Sequence, residues 1–142
     1  MSAEANKKLV QQVYSDSASR SGTTFVDNLA DDASWIVTGQ YSWSNEFKGK
    51  DAILNGLMGH FRSFFAVRPR TVAFNFIAEG DTVVVEARGD NLTRDGQRYD
   101  NHYCMVYRIE NGRIKQIKEY CDSTLVERVL GPFPQERKQA AG

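Results

Sequence analysis

The sequence predicts an α+β domain in which three N-terminal helices pack on one face of a curved antiparallel sheet. Two patterns carry that reading. Up to Arg68 the apolar residues recur mainly at helical spacing, and from Arg70 they alternate with polar ones in four runs separated by turn signals. The length of 142 residues adds a third argument, because it allows one domain with a sizeable core and not two. A sheet curled around a helix leaves a cone, and the open mouth of a cone is a natural pocket.

Leu9, Val10, Val13 and Tyr14 form one apolar stripe of a first helix, which Gly22 stops. Thr24 and Asp27 have capping-box spacing, with Phe25, Val26 and Leu29 as the apolar face of a short second helix. Ala33 to Thr38 reads as a strand, and the stretch from Gly39 to Gly49 reads as a polar loop. Ile53, Leu57, Met58, Phe61, Phe64 and Phe65 then mark the buried side of a third helix, ended by Pro69 at or before Arg68. Four strands follow: from Arg70 to the Glu79-Gly80-Asp81 turn, Thr82 to Leu92, Tyr99 to Ile109, and Arg113 to Asp122. A three-residue Glu110-Asn111-Gly112 loop would pair Ile109 with Arg113. Thr124 and Glu127 suit a last helical turn closed by Gly131-Pro132, with Asp122 as its cap or flank. Residues 1–130 are expected to be the domain and 131–142 a flexible C-terminal tail.

Lys+Arg 18 against Asp+Glu 18 leaves no basic surplus, which argues against a nucleic-acid partner. No apolar run approaches the ~18 residues of a membrane span. The polar start lacks the apolar segment of a signal peptide, and two cysteines without metal spacing fit a reducing compartment, so a cytoplasmic location is expected. Val106 and Tyr120 on the outer sheet face suggest a homodimer surface. Nothing in the pattern requires a cofactor or a metal.

Several segments, in this order, resemble the nuclear-transport-factor-2-like superfamily in its SnoaL-like, ketosteroid-isomerase-like branch. They are Tyr14, the run from Leu29 to Trp35, Phe47 to Ile53, Tyr99 to Tyr103, Gly112-Arg113-Ile114 and Glu119 to Asp122. The resemblance spans about residues 5–130 and implies a cone-shaped, cystatin-like barrel. It does not select a reaction, because such folds host isomerases, cyclases, hydrolases and non-catalytic binders. In the ketosteroid isomerase pattern an aspartate base and a protonated aspartic acid act with a tyrosine. Tyr14 matches that tyrosine, but the base falls on Val37 and the acid on Met105, and neither side chain can do that work. The limonene-epoxide-hydrolase pattern is similar to Arg88-Gly89-Asp90 together with Glu119. That match needs Arg88 and Asp90 to face inward, whereas Val83, Val85 and Ala87 form a competing apolar face.

On the last strand Ile117, Glu119 and Cys121 share one face, which the family pattern turns inward. Glu119 would lie opposite Tyr103 and Ile117 opposite Met105, with Asn101 and Tyr107 on the same wall. Burial of Ile114 as well would require a bulge. A carboxyl among aromatic rings is raised in pKa by desolvation and becomes suited to general acid–base work. The expected catalytic residues are therefore Glu119, Tyr14, Arg88 and Asp90. Trp35, Val37, Met58, Phe61, Asn101, Tyr103, Met105, Ile117 and Cys121 are the expected binding residues for a hydrophobic small molecule. Two functions stay open: a cofactor-free isomerase, cyclase or hydrolase, and a non-catalytic binding or dimerisation module.

Overall fold

The structure is a computed structural model and describes the backbone of residues 2–141 and the side chains of residues 2–138. Helix α1 (Ala3–Ser19) is capped by the Ser2 hydroxyl, which accepts from the Ala5 amide, and it buries Val10, Val13 and Tyr14. It ends at Arg20, which takes the left-handed conformation at φ 55°, two residues before the expected stop. Gly22 serves a different purpose. Its own φ is +85°, and a Cβ there would collide with the Asp16 carboxylate, which accepts from the Thr24 amide at 3.0 Å. Helix α2 (Thr24–Asn28) has its N-cap at Thr23, one residue before the expected cap, with the Thr23 hydroxyl donating to Asp27 at 2.7 Å.

Strand β1 (Leu29–Val37) is longer than expected, and the 39–49 segment contains a second strand, β2 (Asn45–Lys48). Four residues are too few to show alternation against polar neighbours, yet Phe47 in this strand is fully buried. Helix α3 opens with a π-helical stretch, Ala52–Met58, and closes with an α-helical turn, Gly59–Arg62. It stops well before Pro69 because Phe65 leaves the helix to bridge Thr93 and pack on Phe61 and Tyr99. Ile53, Leu57 and Phe65 are buried as expected, while Met58, Phe61 and Phe64 are partly buried against the core.

Strands β3 (Thr71–Glu79), β4 (Thr82–Gly89), β5 (His102–Glu110) and β6 (Arg113–Cys121) form the expected antiparallel meander. The whole sheet has the order β2-β1-β6-β5-β4-β3, with β1 running parallel to β6. It is curved but not closed into a barrel; β2 and β3 are its edges. Val83, Val85 and Ala87 are buried, which settles the register of β4 and turns Glu86 and Arg88 outward.

The β5–β6 hairpin departs from expectation in two steps. Its turn has two residues, Asn111 and Gly112, both at positive φ (52° and 75°), so Glu110 pairs with Arg113. A bulge then leaves Lys115 unpaired, which lets Ile114 and Ile117 both point inward, and each is fully buried. Glu119 therefore lies opposite Met105 instead of Tyr103, and Ile117 opposite Tyr107 instead of Met105. The two slips of one residue add to two, so every side chain keeps its face.

Helix α4 (Ser123–Leu130) is capped by Asp122, which accepts from the Leu125 amide at 3.2 Å. Packing continues past residue 130, where the sequence placed the end of the domain. Phe133 is 1% exposed and sits edge-on to Trp43 and Phe47, ahead of helix α5 (Gln135–Ala141). Its amide donates to the Ser42 hydroxyl, and Ser42 in turn is held by Glu127 of α4.

Candidate functional site

The concave face of the sheet and helices α1, α3 and α4 line a cavity of about 190 Å³. Period-two alternation places Tyr103, Met105 and Tyr107 of β5 on its sheet wall, with Glu119 of β6 beside Met105. The parallel β1–β6 pairing brings Trp35 to the same wall, in register with Ile117. Tyr14 faces it from α1, and Met58 and Phe61 face it from α3. Tyr41, Trp43 and Tyr99 extend the aromatic lining.

Glu119 is the one carboxylate on this lining. Its Oε1 accepts from the Trp35 indole Nε1–H at 3.1 Å, and its Oε2 accepts from the Cys121 thiol at 3.5 Å. Burial raises its pKa, the hydrogen bonds from Cys121 and Trp35 pull it part of the way back, and the result is a rise from 4.5 to about 7. Among the described residues no cation lies within ion-pair distance of it. Around it the tyrosines are held protonated. Desolvation, reinforced by the Tyr107 hydroxyl and by the charge of Glu119, raises Tyr14 well above the usual phenol value, and burial does the same to Tyr103 and Tyr107. The Tyr14 and Tyr107 hydroxyls are 2.9 Å apart. One proton bridges that pair, so the other remains free to be donated to a ligand. Cys121 is a neutral thiol: burial raises its pKa to about 12, and its sulfur lies 3.5 Å from the Tyr41 hydroxyl.

The structure thus collects Glu119, Tyr14, Trp35, Met58, Phe61, Tyr103 and Met105 around one cavity. Other expected residues stand behind the wall. Val37 and Ile117 are packed into the core at 3% and 0% exposure. Cys121 reaches the site only through Glu119 and Tyr41. Asn101 is fully buried and is consumed by structure: it donates to the Tyr99 hydroxyl and the Asp122 carbonyl and accepts from the Asp122 amide. Arg88 and Asp90 lie outside. Arg88 is exposed on the outer face opposite His102, and Asp90 is paired with Arg98 and Arg70. The epoxide-hydrolase arrangement is therefore not formed, because inward burial of Val83, Val85 and Ala87 fixes the opposite register.

Sequence reasoning missed Tyr41 and Trp43, which sit in a segment taken as polar loop, and Arg62 and Arg68. Two aromatic residues two positions apart in a glycine-bounded loop were the available signal for the first pair. The arginines gave none. Among the described residues no cluster of His, Cys, Asp or Glu is arranged to hold a metal ion, and no helix is long and apolar enough to cross a membrane.

Comparison with known proteins places this architecture. The chain is similar to Bal32a from a soil-derived mobile gene cassette, at 24% identity and a TM-score of 0.77, covering 89% of this chain and 97% of that one. It is similar to a protein provisionally named a SnoaL-like polyketide cyclase, from Jannaschia sp. CCS1, at 17% identity and TM-score 0.73, covering 93% and 95%. It also resembles TerC, crystallised with polyporic acid, at 16% identity and TM-score 0.74, covering 89% and 98%. At these identities the likeness is one of fold. No curated protein matches the sequence. The SnoaL-like domain model matches residues 10–117, most of the chain. The protein belongs to the SnoaL-like domain family.

Proposed function

We propose that the cavity binds a hydrophobic molecule of one or two rings and that Glu119 moves a proton on it. The observation that carries this reading is the Glu119 carboxyl, set in an aromatic lining and brought to about 7 by burial. An acid–base group works best with a pKa near the operating pH. The volume supports the ligand class, since a cavity of about 150 Å³ lined by apolar side chains already binds benzene.

The positions of Val37 and Met105 add a second argument. They are where the resemblance to ketosteroid isomerase would put its two acidic residues, and here they flank Glu119 in register, Val37 on β1 and Met105 on β5. The carboxylate in this chain stands on the strand between them. It therefore remains in the same neighbourhood, although the ketosteroid isomerase residue set is absent.

In the proposed step a Glu119 oxygen removes a proton from the carbon next to a substrate carbonyl. The C–H electrons form a carbon–carbon double bond and the carbonyl π electrons move to oxygen. The free proton of the Tyr14–Tyr107 pair hydrogen-bonds that oxygen. Where the substrate carries a double bond β,γ to that carbonyl, the protonated Glu119 returns its proton to the γ-carbon as the oxygen's electron pair re-forms the carbonyl, and the double bond shifts to the α,β position, an isomerisation with no net loss of atoms. The provisional cyclase name of the Jannaschia protein and the co-crystallisation of TerC with polyporic acid fit a ring-shaped ligand.

The test is hydrogen–deuterium exchange at the α-carbons of small cyclic ketones such as 2-tetralone in D2O, followed by NMR. Wild type should accelerate exchange, and Glu119→Gln should lower that acceleration about 100-fold or more while keeping the fold. Equal exchange in both proteins would overturn the assignment. Tight binding without exchange would instead identify a non-catalytic binding module, the reading that the losses at Val37 and Met105 favour.

A further inference from the structure

The cavity has one charged end. Arg62, in the last turn of α3, and Arg68, in the segment leading to β3, both line it, next to Ser17, Pro69 and Thr71. Neither arginine has a carboxylate within ion-pair distance among the described residues; the ion pairs found use Arg70, Arg98, Arg108 and Lys115. The carboxylate that acts on Arg68 is Asp16, and it is already engaged by the Gln12 side chain at 2.8 Å and the Thr24 amide at 3.0 Å. Arg68 is anchored by donating to the Gly22 carbonyl at 3.0 Å, whereas among the described residues no hydrogen bond is found for the Arg62 guanidinium.

Two guanidinium groups on the lining of one cavity, neither of them in an ion pair among the described residues, make a locus that attracts an anion. Burial together with the neighbouring Arg68 charge lowers the pKa of Arg62. Both arginines share the cavity lining with Glu119, whose carboxylate is held by Trp35 and Cys121 and not by either guanidinium. A ligand that satisfies both ends has an apolar ring body and one negatively charged substituent.

We propose that Arg62 and Arg68 form a carboxylate-binding subsite at the cavity mouth, so that the natural ligand is a ring-containing carboxylic acid held with its charged group outward. The inference rests on the cavity being a ligand site, as proposed above, and narrows the class of ligand. Planar guanidinium donors match the two oxygens of a carboxylate and give direction as well as attraction. Both arginines are exposed, so the expected gain is moderate and sensitive to salt.

The experiment compares two probes of the same shape, 2-naphthoate and 2-naphthamide, by isothermal titration calorimetry at low ionic strength. Wild type should bind the acid about tenfold more tightly than the amide, and the preference should shrink as salt is added. Arg62→Gln should remove most of that preference, lowering affinity for the acid far more than affinity for the amide. Arg62→Lys, which keeps a charge but not the fork, should recover only part of it. Arg68→Lys, which preserves a donor for the Gly22 carbonyl, gives a second variant should Arg68→Gln fail to fold. Equal affinity for acid and amide in wild type would overturn the subsite and leave the cavity reading standing. Failure of both probes to bind would overturn both.

Discussion

Trp35 donates its indole proton to Glu119 across the parallel β1–β6 seam, at 3.1 Å. The bond fixes one carboxylate oxygen against the wall of the cavity and leaves the acid without a cation to balance it. A side chain in that setting is strained when charged, and its protonation should be visible in the stability of the whole domain.

The pH dependence of folding follows directly. Glu119 has a higher pKa folded than unfolded, so between about pH 4.5 and 7 the native state holds more protons, and stability falls as pH rises through that window. The loss should be on the order of 3 kcal/mol, complete above the folded pKa and absent below the unfolded one. Urea unfolding at pH 4.5 and pH 8 measures this component when wild type is compared with Glu119→Gln. The variant should lack it and be the more stable protein at pH 8. Parallel pH profiles for the two proteins would contradict the burial of this acid.

Replacing the donor should move the acid further. Trp35→Phe keeps an aromatic ring but removes the N–H that favours ionised Glu119. The Glu119 titration midpoint, read by carbon-13 NMR of its carboxyl, should rise by about one unit. An unchanged midpoint would mean that the indole contact does not act on the charge.

The Tyr14–Tyr107 hydroxyl pair can be isolated by a double-mutant cycle. Tyr14→Phe and Tyr107→Phe should each cost about 1 kcal/mol, and the double variant should cost less than their sum by a few tenths of a kcal/mol or more. Strict additivity in denaturant melts would show that the two hydroxyls do not interact.

Phe133 offers a test of where the domain ends. Buried edge-on to Trp43 and Phe47, it should cost about 3 kcal/mol when replaced by alanine. Because Trp43 lines the cavity, its fluorescence should also shift. A change within 0.5 kcal/mol, the scale of ordinary surface substitutions, would mark the segment as peripheral.

Most of the architecture could be read from residue spacing. The meander announced itself through alternation and through turns at Gly80 and Gly112, and the inward acid followed from Ile117, Glu119 and Cys121 sharing the face that the family resemblance turns inward. Other features depended on partners far away in sequence. Nothing near Asn45–Lys48 shows that this short strand finds β1, since that pairing is tertiary. The slip at Lys115 needed the burial of both Ile114 and Ile117 to reveal it. Asn101 was misread for a related reason: a polar residue beside aromatics suits a ligand contact, but the Asp122 backbone and the Tyr99 hydroxyl had already taken its amide. Arg88 and Asp90 had a motif's spacing on a strand whose apolar residues decided the orientation.

The seam between β1 and β6 has a consequence for how the molecule comes into being. Trp35 and Glu119 are 84 positions apart, on strands that pair in parallel. Contacts of that separation must overcome a large loop-closure entropy before they give anything back, and they tend to form late. During synthesis from the N-terminus the helices and β1 emerge well before the strand that completes the floor of the cavity. Until it arrives, β1 presents an unpaired edge, the kind of surface on which nascent chains find the wrong neighbour. Assembly of the acid's environment and escape from aggregation are thus one event, the docking of a single late strand.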